Sequence, residues 1–246
     1  LANREFVDLV EEYPSVQFSP EEFCRLPRKL VPRLYSIASS PTCYPNEIHL
    51  TVAVVRYATN NRPRIGVAST FLADRCPVEE KVVPVYIAPS HFGLPEDPET
   101  DVIMVGPGTG IAPFRAFLQE RERQGSSGRN WLFFGDQHQE TDYLYGEELE
   151  SYRDSGVLTD LDLAFSRDQE HKIYVQDRML EKAGQLWEWL QNGASFYVCG
   201  DASRMAKDVE SALMQILQEK GGYEERDAKN YLRQLRKEKR YQRDVY

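Results

Sequence analysis

No apolar run in the 246-residue chain approaches the roughly 18 residues that a membrane helix requires, so no membrane span is expected. The first residues are polar and acidic and do not read as a secretory leader. Cysteine is scarce: Cys24, Cys43, Cys76 and Cys199 are scattered, with no C-x-x-C pair. That spacing argues against a zinc site and against a disulfide framework, and for a reducing cytoplasm. Basic residues are outnumbered, and a net charge of −9 argues against non-specific nucleic-acid binding. Internal repeats and low-complexity tracts are absent as well. The expectation is a cytoplasmic globular protein with no metal, no nucleic-acid partner and no membrane partner.

What is present carries more information. The length suits one large or two ordinary domains, and an apolar fraction of 41% is enough for each to bury a core. The run Val102-Ile103-Met104-Val105 reads as a buried strand, and Phe114 to Arg123 as a helix. Between them stands Gly106-Pro107-Gly108-Thr109-Gly110-Ile111-Ala112-Pro113, spaced G-x-G-x-G-x-x-P. Glycines let backbone N–H groups approach an anion, and a helix N-terminus adds unpaired donors and positive dipole. Pro113 suits a first helical turn. On this turn alone two readings stand side by side: a phosphate cradle and an ordinary strand-to-helix turn.

A second group favours the cradle. Leu161 to Phe165 reads as another strand, followed by Ser166 and Arg167 and then by Lys172-Ile173-Tyr174-Val175-Gln176. In an open parallel sheet these residues gather at the carboxyl ends of strands, where ligands bind. Two cations, hydroxyls, an amide and an aromatic face suit the 2′-phosphate and adenine of NADPH. They do not suit NADH, whose ribose usually meets an acid. The competing reading is a solvated charged loop.

Earlier in the chain, Arg33-Leu34-Tyr35-Ser36 lies in an extended segment between Pro32 and Pro41. Ile48 to Val55 is β-branched and reads as a strand, and Gly66-Val67-Ala68-Ser69 reads as a turn entering a helix. Short strands of this kind suggest a barrel. Singly, each of these residues reads as structural.

Taken in order, R-x-Y-S, G-V-A-S, G-P-G-T-G-I-A-P-F-R, S-R-D, K-I-Y-V-Q, Y-V-C-G-D and the ending R-Y-Q-R-D-V-Y resemble the ferredoxin–NADP reductase-like module of the diflavin reductases. The likeness runs from about Arg25 to Tyr246. The ending, Arg240 to Tyr246, is most similar to the flavoprotein component of the assimilatory NADPH–sulfite reductase branch.

The resemblance implies an α/β plus β fold: part of an antiparallel FAD-binding β-barrel, then a parallel-sheet, Rossmann-like NADP-binding domain. It implies FAD contacts at Arg33, Leu34, Tyr35, Ser36, Thr51, Val52, Ala53, Tyr57, Gly66, Val67, Ala68 and Ser69. Many relatives have Gly where this chain has Ala53. NADP contacts are implied at Gly108, Thr109, Gly110, Ser166, Arg167, Lys172, Ile173, Tyr174, Val175, Gln176 and Asp208. Ser36, Cys199 and Asp244 match the polar cluster that assists hydride transfer, and Tyr246 the terminal aromatic that shields the flavin. The implied division is 1–24 as the end of a connecting module, 25–98 as the later part of the barrel, and 99–246 as the NADP domain.

Because the chain starts at Leu1 and family members carry more before this region, a C-terminal fragment is expected, with FMN in a domain upstream, on the same chain or a separate one. The implied reaction takes hydride from NADPH onto FAD. Electrons then pass through FMN to a haemoprotein (beta) subunit that reduces sulfite to sulfide. Two alternatives remain: a diflavin reductase serving another haem acceptor such as a cytochrome, and a cofactor-free docking scaffold. Within 99–246 the pattern predicts strands at Val102–Val105, Trp131–Phe134, Leu161–Phe165, Ser195–Cys199 and Tyr241–Val245. Helices are predicted at about 111–123, 143–154, 175–191 and 203–220, with a basic, amphipathic one between Arg226 and Arg243. That last helix reads either as a solvated face or as a docking face for an acidic electron-transfer partner. Trp187, Trp189 and Leu190 read as packing residues.

Overall fold

The computed structural model describes residues 4–80 and 83–246. Residues 1–3, at the head of the expected connecting module, and 81–82, in the expected barrel portion, lie outside the described residues. The chain forms two compact units, one of residues 1–34 and 52–88, the other of residues 35–51 and 89–246.

The first unit holds α1 (Phe6–Glu12), α2 (Pro20–Arg25), the strands β1 (Arg56–Thr59) and β2 (Arg62–Ile65), and α3 (Val67–Arg75). Helix α2 starts because Ser19 and Glu22 cap each other: the Glu22 N–H donates to the Ser19 hydroxyl, and the Ser19 N–H to the Glu22 carboxylate. Strands β1 and β2 are antiparallel and joined at Asn60 and Asn61, both left-handed with φ of 51° and 57°. Asparagine tolerates that conformation, and the turn matches the twist of the paired strands. Arg64 of β2 reaches Asp8 of α1 at 3.0 Å and ties helix to hairpin. Ile48–Val55 does not form the strand its β-branching suggests; the ladder lies one step later, at Arg56–Thr59. Only Leu50 pairs, in an isolated antiparallel bridge to Ile37. β-branching marks a residue that suits a pleated surface, and without a partner strand it creates none.

In the second unit, strands and helices alternate. The order is β3 (Val102–Val105), a 3-10 turn (Gly108–Ile111), α4 (Ala112–Gln124), β4 (Asn130–Asp136), α5 (Gln139–Asp142), α6 (Gly146–Asp154) and β5 (Asp160–Phe165). Then follow α7 (Val175–Glu181), α8 (Ala183–Gln191), β6 (Ser195–Gly200), α9 (Met205–Glu219), α10 (Glu225–Lys237) and β7 (Tyr241–Val245). The five strands are parallel, in the order β5-β4-β3-β6-β7. The expected strands are all present. The expected helix 175–191 is broken at Lys182, the expected 143–154 begins at Gly146, and the basic helix stops at Lys237.

Both faces of the sheet are covered, which explains why β3 is apolar at every position. Ile103, Val105, Trp131, Phe133, Phe196 and Val198 face one core, packed by α7, α8, α9 and α10. Val102, Met104, Leu132, Phe134, Tyr197 and Cys199 face the other, packed by α4 and α6. Trp189 and Leu190 are buried in the first core, and Trp187 packs on Tyr223 and Tyr231. The chain runs out from β3 to β4 and β5 on one side, then crosses to β6 and β7 on the other. The strand order therefore reverses between β3 and β6, and the ligand crevice of open α/β sheets lies outside the carboxyl ends of two such strands. Among the described residues, no helix is long and apolar enough to cross a membrane.

Candidate functional site: the switch point of the parallel sheet

The glycine turn leaves β3 and runs straight into this crevice. Gly108 has φ +56°, a conformation that a side chain disfavours. At Gly110 the constraint is contact: a Cβ there would lie 2.2 Å from the Cys199 carbonyl oxygen. The turn is thus pressed against the end of β6, and only a glycine permits it. Its first N–H groups have no acceptor within the 3-10 turn, and Pro113 occupies the start of α4, where a missing N–H costs nothing. A bare backbone concavity at a helix N-terminus fits a pyrophosphate.

Next to the turn is a polar cluster. The Ser36 hydroxyl donates to Asp244 Oδ2 at 2.5 Å, and the Cys199 thiol lies 3.8 Å from the same oxygen. Cys199 is fully buried. Burial first, and then the Asp244 charge, push its thiol up to about 12. Strand β7 carries Asp244 into place, since Cys199 and Asp244 are register partners across β6 and β7. Segment 35–51 carries Ser36 and is clamped to α4. Arg115 donates to the Ala38 carbonyl at 2.8 Å and pairs with Glu148 at 2.7 Å, and the Ser40 N–H donates to Gln119 at 2.9 Å.

Tyr246 is fixed rather than frayed. Its N–H donates to the Gly200 carbonyl at 3.1 Å, its carbonyl accepts from the Ala202 N–H at 3.0 Å, and its hydroxyl lies 2.9 Å from the Thr109 hydroxyl. Its side chain remains largely exposed, at 62%.

The residues that follow β5 lie at the carboxyl end of the sheet's edge strand. Ser166 and Arg167 donate backbone N–H groups to the carbonyls of Asp136 and Gln137, which aligns the loops after β5 and β4. Gln169 braces its loop by donating to the Phe165 and His171 carbonyls. Arg167, Lys172 and Tyr174 are exposed, and among the described residues Arg167 and Lys172 form no ion pair. Ser166 and Val175 are buried, Val175 within the core, and Ile173 and Gln176 are partly covered. Asp208 is exposed on the first turn of α9.

Of the flavin-side candidates, Tyr35, Ser36 and Thr51 belong to the second unit, and Arg33, Leu34, Val52, Ala53, Tyr57 and Gly66 to Ser69 to the first. Thr51 shares a 2.7 Å hydrogen bond with the Tyr145 hydroxyl. Within the first unit, Gly66 precedes α3 and its N–H donates to Val55, while the Ser69 hydroxyl accepts from the Val55 N–H at 3.1 Å. Among the described residues no side chain caps the opening N–H groups of α3, which begins at a small-residue turn, again a fit for phosphate. Leu34 and Tyr57 are exposed.

Three side chains here were not anticipated from the sequence. Asp136 ends β4 beside Gly108. Tyr145 is left-handed (φ 58°), with Arg115 stacked 4.7 Å over its ring. Asp201 accepts the N–H groups of Ser203, Arg204 and Met205 and the Ser203 hydroxyl, which holds its carboxyl down at about 2. Only Asp201 had a readable signal, an acid just ahead of a helix.

A phosphate-ready turn at the switch point of a parallel sheet, preceded in sequence by a second such turn, suits a module that uses a flavin and a nicotinamide. Residues 1–71 match the family described as FAD binding domain, and residues 104–211 match the oxidoreductase NAD-binding domain. The whole chain is 54% identical to the sulfite reductase [NADPH] flavoprotein alpha-component of Cronobacter sakazakii, covering 41% of that protein. Over 99% of its length it is 53% identical to the proteins of the same description from Yersinia pestis and Serratia proteamaculans, covering 40% and 41% of them. The chain therefore spans about two-fifths of the length of the curated relatives it matches.

Proposed function

We propose that this chain accepts hydride from NADPH as the FAD-bearing part of a flavoprotein reductase. We further propose that the protein it forms part of passes the electrons through FMN, in an upstream or separate domain, to a sulfite reductase haemoprotein (beta) subunit. The observation that carries the first reading is the Ser36–Asp244–Cys199 cluster beside the glycine turn. FAD, when bound, supplies an acceptor that takes two electrons with a hydride and releases them one at a time. The proposed division is 25–98 for the flavin portion and 99–246 for the NADP portion, with 1–24 ending a connecting module. The gap between the two family matches, from 72 to 103, supports a boundary in that interval.

In this reading Gly108, Thr109 and Gly110 hold the pyrophosphate through backbone donors. Arg167 and Lys172 take the 2′-phosphate, helped by Ser166, and Tyr174 covers the base, with Ile173, Val175 and Gln176 shaping the loop and Asp208 near its rim. Arg33, Leu34, Tyr35, Ser36, Thr51, Val52, Ala53, Tyr57 and the Gly66–Ser69 turn are the proposed FAD contacts. At the hydride step Ser36 donates to Asp244, and Cys199 stays a neutral thiol. Their work is positioning and electrostatic balance rather than covalent chemistry. Tyr246 covers the place where the nicotinamide must lie, and has to leave it.

The test is anaerobic mixing of the FAD-loaded 246-residue chain with NADPH, followed by addition of acceptors. Bleaching of the flavin absorbance supports hydride transfer. A chain that takes up flavin but is not reduced by NADPH would sink the proposal. The full-length protein should then drive sulfite reduction by the haemoprotein faster than it reduces a cytochrome; the opposite order would point to another acceptor.

A further inference from the structure

An anion cradle ordinarily gathers positive charge, yet this one has a carboxylate beside it. Asp136 ends β4, the strand paired with β3, and its Oδ2 lies 3.7 Å from where a Cβ on Gly108 would stand. The Gln137 N–H donates to Oδ1 at 2.7 Å. Oδ2 receives no hydrogen bond among the described residues, and no Lys or Arg pairs with this carboxylate. The charged neighbour that perturbs it is a second acid, Asp142 at the end of α5. Burial and Asp142 both favour its protonated form, so the ionised group is held there at a cost. Nothing in the fold requires the charge: the backbone donor it serves belongs to the adjacent residue and would be equally satisfied by an amide oxygen.

We propose that Asp136 is an affinity-setting residue of the dinucleotide site, its carboxylate opposing the pyrophosphate on the Gly108 turn so that spent coenzyme is released quickly. The inference rests on the dinucleotide reading given above. Two like charges a few ångströms apart at a protein surface repel enough to shift an equilibrium by on the order of tenfold, equal to about 1.4 kcal/mol. The pyrophosphate is common to NADP+ and NAD+, so the effect falls on both coenzymes alike and leaves their ratio untouched. In this respect Asp136 differs from Arg167 and Lys172, whose proposed partner exists in only one of the two.

The experiment is isothermal titration of the FAD-loaded 246-residue chain with NADP+ and with NAD+, for the wild type, Asp136→Asn and Asp136→Ser. Thermal melts check that both variants fold. Binding of both coenzymes tightened about tenfold in the variants, with the NADP+/NAD+ ratio constant and the gain shrinking at high salt, supports the proposal. Unchanged or weaker binding in both folded variants overturns it and makes Asp136 a neutral or attractive contact. Failure of the wild type and both variants alike to bind NADP+ overturns the dinucleotide reading itself, and this proposal with it.

Discussion

The hydroxyls of Thr109 and Tyr246 meet at 2.9 Å, joining the glycine turn to the residue that follows β7. Tyr246 is therefore held at three points, twice by its backbone and once by its ring. If it shields the flavin, Tyr246→Ala is expected to improve use of both coenzymes and to favour NADH more, because NADH lacks the 2′-phosphate contacts that help displace the ring. The ratio of kcat/KM for NADPH and NADH in the full-length protein is the measurement. An unchanged ratio removes Tyr246 from that role. Tyr246→Phe, which loses only the Thr109 bond, is expected to shift the ratio in the same direction by a smaller amount.

Arg167 and Lys172 stand exposed and without ion-pair partners among the described residues. A charge-assisted phosphate contact is worth about 1.5–3 kcal/mol. Arg167→Ala is expected to raise the KM for NADPH by roughly tenfold to a hundredfold, in keeping with that range, and to leave NADH nearly unaffected. Equal losses with both would remove Arg167 from the 2′-phosphate.

Cys199 is expected to stay a thiol at every pH used for assay, since its value moves from 9.0 up to about 12. The folded state thus keeps a proton that the unfolded chain gives up. The stabilising contribution is complete below about pH 9 and is lost as pH rises towards about 12. Two measurements follow: an alkylating reagent at pH 8 should label Cys199 only after denaturation, and Cys199→Ala should slow flavin reduction in stopped flow without reducing flavin content. Fast labelling in the folded protein would contradict the burial, and an unaltered reduction rate would leave Cys199 a packing residue.

Asp201 is held down from 3.8 to about 2 by the Ser203 hydroxyl first and then by the N–H groups of Arg204, Met205 and Ser203, which lead into α9. Its depressed value means that the cap is fully present above about pH 4 and disappears as pH falls through about 2. Asp201→Ala removes the cap at neutral pH and is expected to lower Tm by about 2–4 °C. The difference from wild type should narrow in acid, as calorimetry at pH 7 and pH 2 would show.

Much of the parallel sheet was legible because its strands are buried on both faces: runs such as Val102–Val105 leave few other readings. Breaks within helices were less so. Nothing around Lys182 announces the gap between α7 and α8. Ile48–Val55 misled for the opposite reason, having the composition of a strand but, among the described residues, only the single Leu50–Ile37 bridge. In the site, the glycines and the Ser36–Cys199–Asp244 set came from ordered motifs. Asp136 could not, because its meaning depends on standing beside Gly108, 28 positions earlier, and that neighbourhood exists only once β3 and β4 are paired.

Segment 35–51 belongs with the parallel-sheet unit while both of its flanks belong with the other. The chain therefore passes between units three times, after residues 34, 51 and 88. For a recombining gene, neither unit is a single cassette. A chimaera joined anywhere between 52 and 88 would inherit Ser36 and Ala38 from one parent, and Asp244 and Arg115 from the other, although these residues bond directly. The two parents would have to agree at Ser36, Asp244 and Arg115 in advance, Ala38 supplying only its main-chain carbonyl. Shuffling of this module should therefore succeed between close relatives and fail between distant ones, even where each half folds well in its own setting.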